Sequence, residues 1–261
     1  MSLSDADLAL RHLAGEAIAH ELGDLAMGYF GNGAKLGVSM KGAQDWLTEA
    51  DGAVETAFRR RIAEVFPGDV VMGEEQGGAT GDALWIIDPI DGTANFARGD
   101  RNWCVSIGFL AKGVPTIGII HAPALGETFA ARLGQGATLN RQPIRCSPTD
   151  DIGRASIEVG WSPRRPIDAY LALIGGFFRM GASVKRSASG ALGLAHVANG
   201  RTDAYCEIHI NAWDVAAGVV IAAEAGAIVS PFFTGDWAAN GNPIVAVTPK
   251  LAKPVMAAVG V

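Results

Sequence analysis

The sequence predicts a mixed protein, α+β in its first half and α/β in its second, and three observations carry that prediction. Residues 4–30 place apolar side chains at helical spacing, with acids and bases between them. Residues 105–110, 116–120 and 127–131 are β-rich runs separated by turns, as in an antiparallel meander. Beyond residue 146 short strands alternate with helices, the texture of an α/β arrangement. Residues 140–148 carry two prolines and several turn formers, so residues 1–145 read as the α+β half and residues 146–261 as the α/β half of one compact unit.

Each element has its own local cause. Leu8, Ile18, Leu22, Leu25 and Tyr29 line the first helix, and Gly31-Asn32-Gly33 ends it. That triplet is no dinucleotide fingerprint, because it follows a helix and Leu36 stands where the third glycine belongs. Residues 35–48 are irregular or short-stranded. Thr48-Glu49-Ala50-Asp51 has the form of a capping box, and Val54, Phe58 and Ile62 continue as a helix to residue 65. Pro67-Gly68 is a turn, and Val70-Val71-Met72 is a short strand ending at Gly73-Glu74-Glu75. Leu84-Trp85-Ile86-Ile87 reads as a buried strand that stops at Asp88, ahead of Pro89. In the second half, strands are expected at 156–159, 182–185, 204–208 and 227–229, and helices at 167–178, 190–198 and 215–225.

With 49% hydrophobic and 18% charged residues the chain is globular. Its net charge of −6 and the lack of a basic patch argue against nucleic-acid binding. An acidic protein that handles phosphate has to offset the repulsion locally, and bound cations do so. Cys104, Cys146 and Cys206 are scattered, odd in number and without a CxxC pair, which fits reduced thiols packed as small apolar groups. Asp5, Asp7, Arg11 and Glu16 interrupt the first apolar pattern and are unlike a signal peptide. Residues 215–223 are too few to span a bilayer. A soluble cytoplasmic protein with no membrane partner is expected.

The chemistry concentrates in residues 84–96, LWIIDPIDGTANF. Asp88 ends the apolar run, where a rigidly held carboxylate can bridge two hard cations. Asp91 approaches from another side, and the carbonyl of Ile90 points inward. Asp-Pro and Asp-Gly are also ordinary turn pairs. Gly92-Thr93 at a helix start can cradle phosphate with backbone N–H groups, or Thr93 can serve as a plain N-cap. Glu74, at a strand end, suits a metal and is chosen over its neighbour Glu75, although in isolation the pair reads more readily as two solvated surface acids. Asp214 precedes an apolar helix, so it caps that helix or, as an acid at the edge of a core, takes a metal partner. Asp51 caps its own helix or polarises a hydroxyl such as that of Thr93.

Together these segments resemble the inositol monophosphatase family of Mg²⁺-dependent, lithium-sensitive phosphatases. The resemblance rests on Gly73-Glu74-Glu75, on Trp85-Ile86-Ile87-Asp88-Pro89-Ile90-Asp91-Gly92-Thr93 with Asn95-Phe96, and on Trp213-Asp214-Val215-Ala216 with Glu224-Ala225-Gly226. Lys41, Thr48 with Asp51, and Asp203-Ala204-Tyr205-Cys206-Glu207 match more weakly. It implies a layered αβαβα sandwich and a homodimer. It also implies one Mg²⁺ on Glu74, Asp88 and the Ile90 carbonyl, a second on Asp88, Asp91 and Asp214, and a third held loosely at Glu74. Thr93, paired to Asp51, and Glu74 carry the catalytic roles; Asp91, Gly92, Thr93, Glu207, Gly190 and Lys41 line the substrate. Ala50 and Arg98-Gly99-Asp100-Arg101 depart from the inositol-specific pattern and leave the alcohol half of the substrate open. The expected function is Mg²⁺-dependent hydrolysis of a small alcohol phosphate, foremost inositol monophosphate, with possible inhibition by Li⁺. Histidinol phosphate is the alternative substrate, with nucleotide 3′-phosphates and sugar 1-phosphates behind it, and a non-catalytic binding protein on the same scaffold is the alternative class.

Overall fold

The computed structural model describes residues 3–31, 39–42 and 45–261. In chain order these form α1 (Asp5–Met27), β1 (Ser39–Gly42), β2 (Asp45–Leu47), α2 (Glu49–Val65), β3 (Val70–Gly73), β4 (Ala83–Asp91), α3 (Thr93–Ala97), β5 (Cys104–Ala111), β6 (Val114–Ala122), β7 (Glu127–Arg132), β8 (Ala137–Leu139) and β9 (Gln142–Ile144). There follow β10 (Ser156–Val159), α4 (Ile167–Arg179), β11 (Ser183–Lys185), α5 (Gly190–Ala198), β12 (Ala204–Ile210), α6 (Ala212–Glu224), β13 (Ile228–Val229), α7 (Trp237–Asn240), β14 (Asn242–Val247) and α8 (Ala252–Val259). Asn32, Gly33 and residues 35–38 of the sequence reading lie outside the described residues.

A seven-stranded sheet in the order β3-β4-β5-β6-β7-β8-β9 is antiparallel except for the β3–β4 pair. A five-stranded sheet runs β11-β10-β12-β14-β13. Helices α1 and α2 cover the outer face of the first sheet, burying Ile18, Leu22, Val54 and Phe58 against Trp85, Ile107 and Ile119. Helices α5 and α6 fill the space between the sheets, and α4 and α8 cover the far face of the second. The result is the αβαβα sandwich that the resemblance implies.

Helix α6 is buried nearly all round, which accounts for its lack of a polar stripe. It lies directly on the large sheet because β5 and β6 present glycines to it. A Cβ on Gly108 would sit 2.5 Å from the Ala216 Cβ, and one on Gly118 would sit 2.2 Å from the Ala217 carbonyl oxygen. That close approach brings the first turn of α6 to the end of β4.

Several boundaries differ from the sequence reading. Strand β4 does not stop at Asp88 but runs through Pro89 to Asp91. Asp88 pairs with Ser106 and Asp91 with Cys104, so three steps on β4 oppose two on β5. This is a β-bulge, where a proline without an N–H is tolerated. Strand β9 falls inside the expected boundary at 140–148, with Pro143 on a sheet edge where no ladder donor is required. Helix α6 begins at Ala212, so Asp214 sits in its first turn instead of ahead of it. Strand β14 and helix α8 were not anticipated, and β14 enters antiparallel between β12 and β13, making the second sheet mixed.

Candidate functional site

The bulge at the end of β4 turns Asp88 and Asp91 toward the same space. Asp88 is 2% exposed and Asp91 5%. The Asp88 Oδ1 accepts the Ile90 backbone N–H at 3.0 Å, which holds the bend. Asp214 arrives from α6, where Asn211 is the N-cap and donates its backbone N–H to the Asp214 Oδ2 at 3.0 Å. One carboxylate oxygen from each of Asp88, Asp91 and Asp214 lies within 4.8 Å of the others.

Such a cluster is electrostatically uncomfortable. Burial, then the charges of Glu74, Asp91 and Asp214, push the Asp88 carboxyl well above the usual range. Burial, then Asp91 and Glu207, do the same to Asp214. Asp91 is raised less freely: burial lifts it, while hydrogen bonds from Ser189, Ala191 and Gly190 hold it down. The Ser189 hydroxyl donates to Oδ2 at 2.5 Å, and the Ala191 and Gly190 N–H groups donate at 2.8 and 3.2 Å. Asp91 thus sits at the N-terminus of α5, where a negative charge is favoured.

Glu74 follows β3 directly and shares with Asp91 and Asp214 the wall of a cavity of about 450 Å³. Its turn is anchored by buried Glu55, which accepts the backbone N–H groups of Glu75 at 2.8 Å and Gln76 at 3.1 Å. Gly73 is required there, since a Cβ would lie 2.4 Å from the Glu55 carboxyl carbon. Glu55 was not singled out from the sequence, although it lies one helical turn after Asp51 on α2, a spacing that puts both acids on one face.

Asp51 reaches back to Thr48, accepting its N–H at 2.8 Å and its hydroxyl at 2.6 Å. Burial nonetheless raises its pKa to about 6. The Thr93 Oγ lies 2.9 Å from the Ile90 carbonyl oxygen and 3.4 Å from the Asp51 Oδ1, so its one hydrogen can go to either. The cap of α3 is Gly92 (φ 93°), not Thr93 as the plain N-cap alternative had it, and a Cβ there would lie 2.9 Å from the Asn102 carbonyl oxygen. Thr93 is therefore free to face Asp51.

Gly190 and Glu207 lie on the cavity wall with Tyr205, Ser162 and His209. Glu207 accepts the Tyr205 hydroxyl at 2.7 Å, and burial raises its pKa to about 7. Lys41 falls on β1, with its side chain outside the described residues. Ser162 and His209 escaped the sequence reading because nothing local marks a serine or histidine that a distant element completes, and Tyr205 entered it only within the weak match at residues 203–207.

The donor set fits divalent cations. The clustered groups are carboxylate oxygens, which hard ions such as Mg²⁺ take. Among the described residues, no Lys, Arg or His forms an ion pair with Asp88, Asp91 or Asp214. Buried carboxylates without a counter-charge are stable as anions only when one is supplied.

An αβαβα sandwich with an acidic cluster able to hold metal, set where its two sheets and inner helices meet, defines a class of protein by itself. Comparison narrows the class. Residues 9–259 match the inositol monophosphatase family, and the chain belongs to that family. It is 36% identical over 222 residues to the Nus factor SuhB of Xylella fastidiosa, covering 84% of this chain and 80% of that protein. The Nus factor SuhB of Escherichia coli K12 is 36% identical over 225 residues, 84% of each chain. The extragenic suppressor protein suhB of Bartonella henselae superposes with a TM-score of 0.88 at 28% identity, covering 94% of this chain and 96% of that one. Inositol monophosphatase from Anabaena superposes with a TM-score of 0.85 at 33% identity, covering 97% and 96%. No helix of the described residues is long and apolar enough to cross a membrane.

Proposed function

We propose that the protein is a Mg²⁺-dependent phosphomonoesterase that releases inorganic phosphate from a small alcohol phosphate, with inositol monophosphate as the first substrate to test. The observation that carries this reading is the convergence of one carboxylate oxygen from each of buried Asp88, buried Asp91 and half-buried Asp214 within 4.8 Å. Glu74, Asp88 and the Ile90 carbonyl would hold one Mg²⁺, and Asp88, Asp91 and Asp214 a second. Bound there, Mg²⁺ lowers the pKa of water and neutralises charge on the phosphate and the leaving oxygen.

The chain's own residues do the positioning. Ser189 and the N–H groups of α5 aim Asp91 and oppose the rise in its pKa that burial causes. With its hydrogen turned to Asp51, the Thr93 hydroxyl offers a lone pair to a water molecule. The water's proton then passes through the hydroxyl to Asp51, whose pKa near 6 suits a base at neutral pH. Glu74 faces the same cavity from the β3 turn and shares in orienting that water. The backbone N–H groups of Gly92 and Thr93 receive the phosphate oxygens. Glu207 and Gly190 meet the alcohol half, with Lys41 on β1 as a further contact.

Glu207 also suits an ammonium, so histidinol phosphate belongs in the same assay. Phosphate release from inositol 1-phosphate, histidinol phosphate, a nucleotide 3′-phosphate and a sugar 1-phosphate, with and without Mg²⁺, tests the reading. Mg²⁺-dependent release from at least one is expected; no release from any overturns it. A homodimer in the cytoplasm completes the proposal, and light scattering of the purified protein tests the subunit count.

A second reading rests on the relatives called Nus factors at 36% identity. On it the scaffold acts by binding a partner, without turnover. Asp88→Asn separates the two: an enzyme loses turnover, whereas a binding module keeps its partner.

A further inference from the structure

Strand β12 places Tyr205, Glu207 and His209 at alternate positions, and all three line the cavity that also holds Asp91 and Asp214. His209 is 5% exposed and bonded at both ring nitrogens. Its Nε2 lies 2.9 Å from the Asn240 carbonyl oxygen, and its Nδ1 lies 3.3 Å from the Ser162 Oγ. A carbonyl only accepts, so Nε2 carries the hydrogen. In the neutral ring Nδ1 is then the acceptor. Burial holds the imidazole below its ordinary pKa, with Asn240 opposing and the neighbouring Arg165 and Arg164 adding to the effect.

The consequence falls on Ser162, which is 4% exposed on the same wall. A hydroxyl has one hydrogen and two lone pairs. The hydrogen goes to His209, and one lone pair takes the Arg164 backbone N–H at 3.3 Å. The remaining lone pair makes Ser162 an acceptor with its orientation settled in advance. Glu207 packs against the same segment: a Cβ on Gly160, two residues before Ser162, would lie 1.9 Å from the Glu207 Oε2. The Glu207 Oε2 is occupied by Tyr205, so its second oxygen is left for a ligand.

We propose that Ser162, positioned by His209 against Asn240, is a specificity-determining residue that accepts a hydroxyl of the substrate's alcohol half beside Glu207. The two acceptors on one wall favour an alcohol half that carries hydroxyl donors over a simple or aryl alcohol. This rests on the phosphatase reading and adds to it a residue pair that the acidic cluster does not require. Ser162 touches the substrate; His209 is a positioning residue that acts through Ser162.

The test compares inositol 1-phosphate with p-nitrophenyl phosphate, an ester without hydroxyl groups. In Ser162→Ala the ratio of kcat/KM for the two esters falls about tenfold, the worth of one hydrogen bond. The loss appears in KM for the inositol ester. His209→Leu, which frees the hydroxyl to rotate, gives the same direction of change. His209→Gln, which keeps one donor for Asn240 and one acceptor for Ser162, restores the ratio. An unchanged ratio in Ser162→Ala, or equal losses in His209→Leu and His209→Gln, overturns the proposal. Absence of turnover of both esters by the unaltered protein overturns the phosphatase reading instead. In that event calorimetric binding of inositol 1-phosphate decides: about tenfold weaker binding to Ser162→Ala supports the proposal, and equal binding overturns it.

Discussion

At the scale of single residues, the site is a set of carboxyls whose neighbours give them different tasks. Asp91 is lifted by burial but held back by Ser189 and the α5 N-terminus, while Asp51 is shifted by burial to about 6. Thr93 connects Asp51 to the bulge. Thr93→Ala is expected to lower kcat by about 10²- to 10⁴-fold, the range for loss of proton-transfer assistance, and to leave Mg²⁺ affinity within about twofold; titration of activity against Mg²⁺ separates the two. Glu207 supplies a pH prediction. A carboxyl whose folded pKa lies above its unfolded value binds more protons when native, so its contribution favours folding at low pH and is lost as pH rises from 4.5 through about 7. Glu207→Gln, which keeps an acceptor for Tyr205, is expected to raise Tm at pH 8 and to change it little at pH 4, as thermal melts without substrate can show. The adjacent Asp88 and Asp91 were legible because they stand three positions apart in one string. The hydrogen bond from Ser189 to Asp91 was not, because the two lie 98 residues apart.

At the scale of elements, each acid is aimed by the end of a strand or helix. The bulge in β4 was hidden because Pro89 signals a stop, and only pairing with β5 shows the chain continuing past it. The start of α6 was placed late because Asp214 is an equally good N-cap, and Asn211 holds that position instead. The Gly73-Glu74-Glu75 turn depends on Glu55, and Glu55→Ala is expected to weaken Mg²⁺ binding by loosening Glu74. Calorimetric titration with Mg²⁺ checks this, and an unchanged affinity would mean that the turn holds itself. Gly118→Val drives a side chain into the α6 backbone. Overpacking of this kind costs about 1–3 kcal/mol, and because α6 carries Asp214, both Tm and the Mg²⁺-induced rise in Tm should fall.

At the scale of the whole molecule, the sandwich gathers like charges that no Lys, Arg or His among the described residues pairs with. Mg²⁺ should therefore stabilise the fold, by about 2.7 kcal/mol at one hundred times its dissociation constant, and chelation should remove that gain. Asp88→Asn is expected to relieve repulsion in the metal-free protein and to abolish most of the proposed phosphatase activity. Its Tm in chelator should match or exceed that of the unaltered protein, while its response to Mg²⁺ shrinks, both readable in one set of melts. By itself the sequence determined the identity of the acids, the strand and helix texture and the family, because those follow from local periodicity and from contiguous strings such as Trp85 to Thr93. Only the tertiary structure decided the geometry that brings Asp214 within 4.8 Å of Asp88 and Asp91, that Ser189 clamps Asp91, and that His209 orients Ser162. Those contacts join residues far apart in the chain, and they exist because α6 packs on glycines and β4 bulges, neither of which local preference encodes.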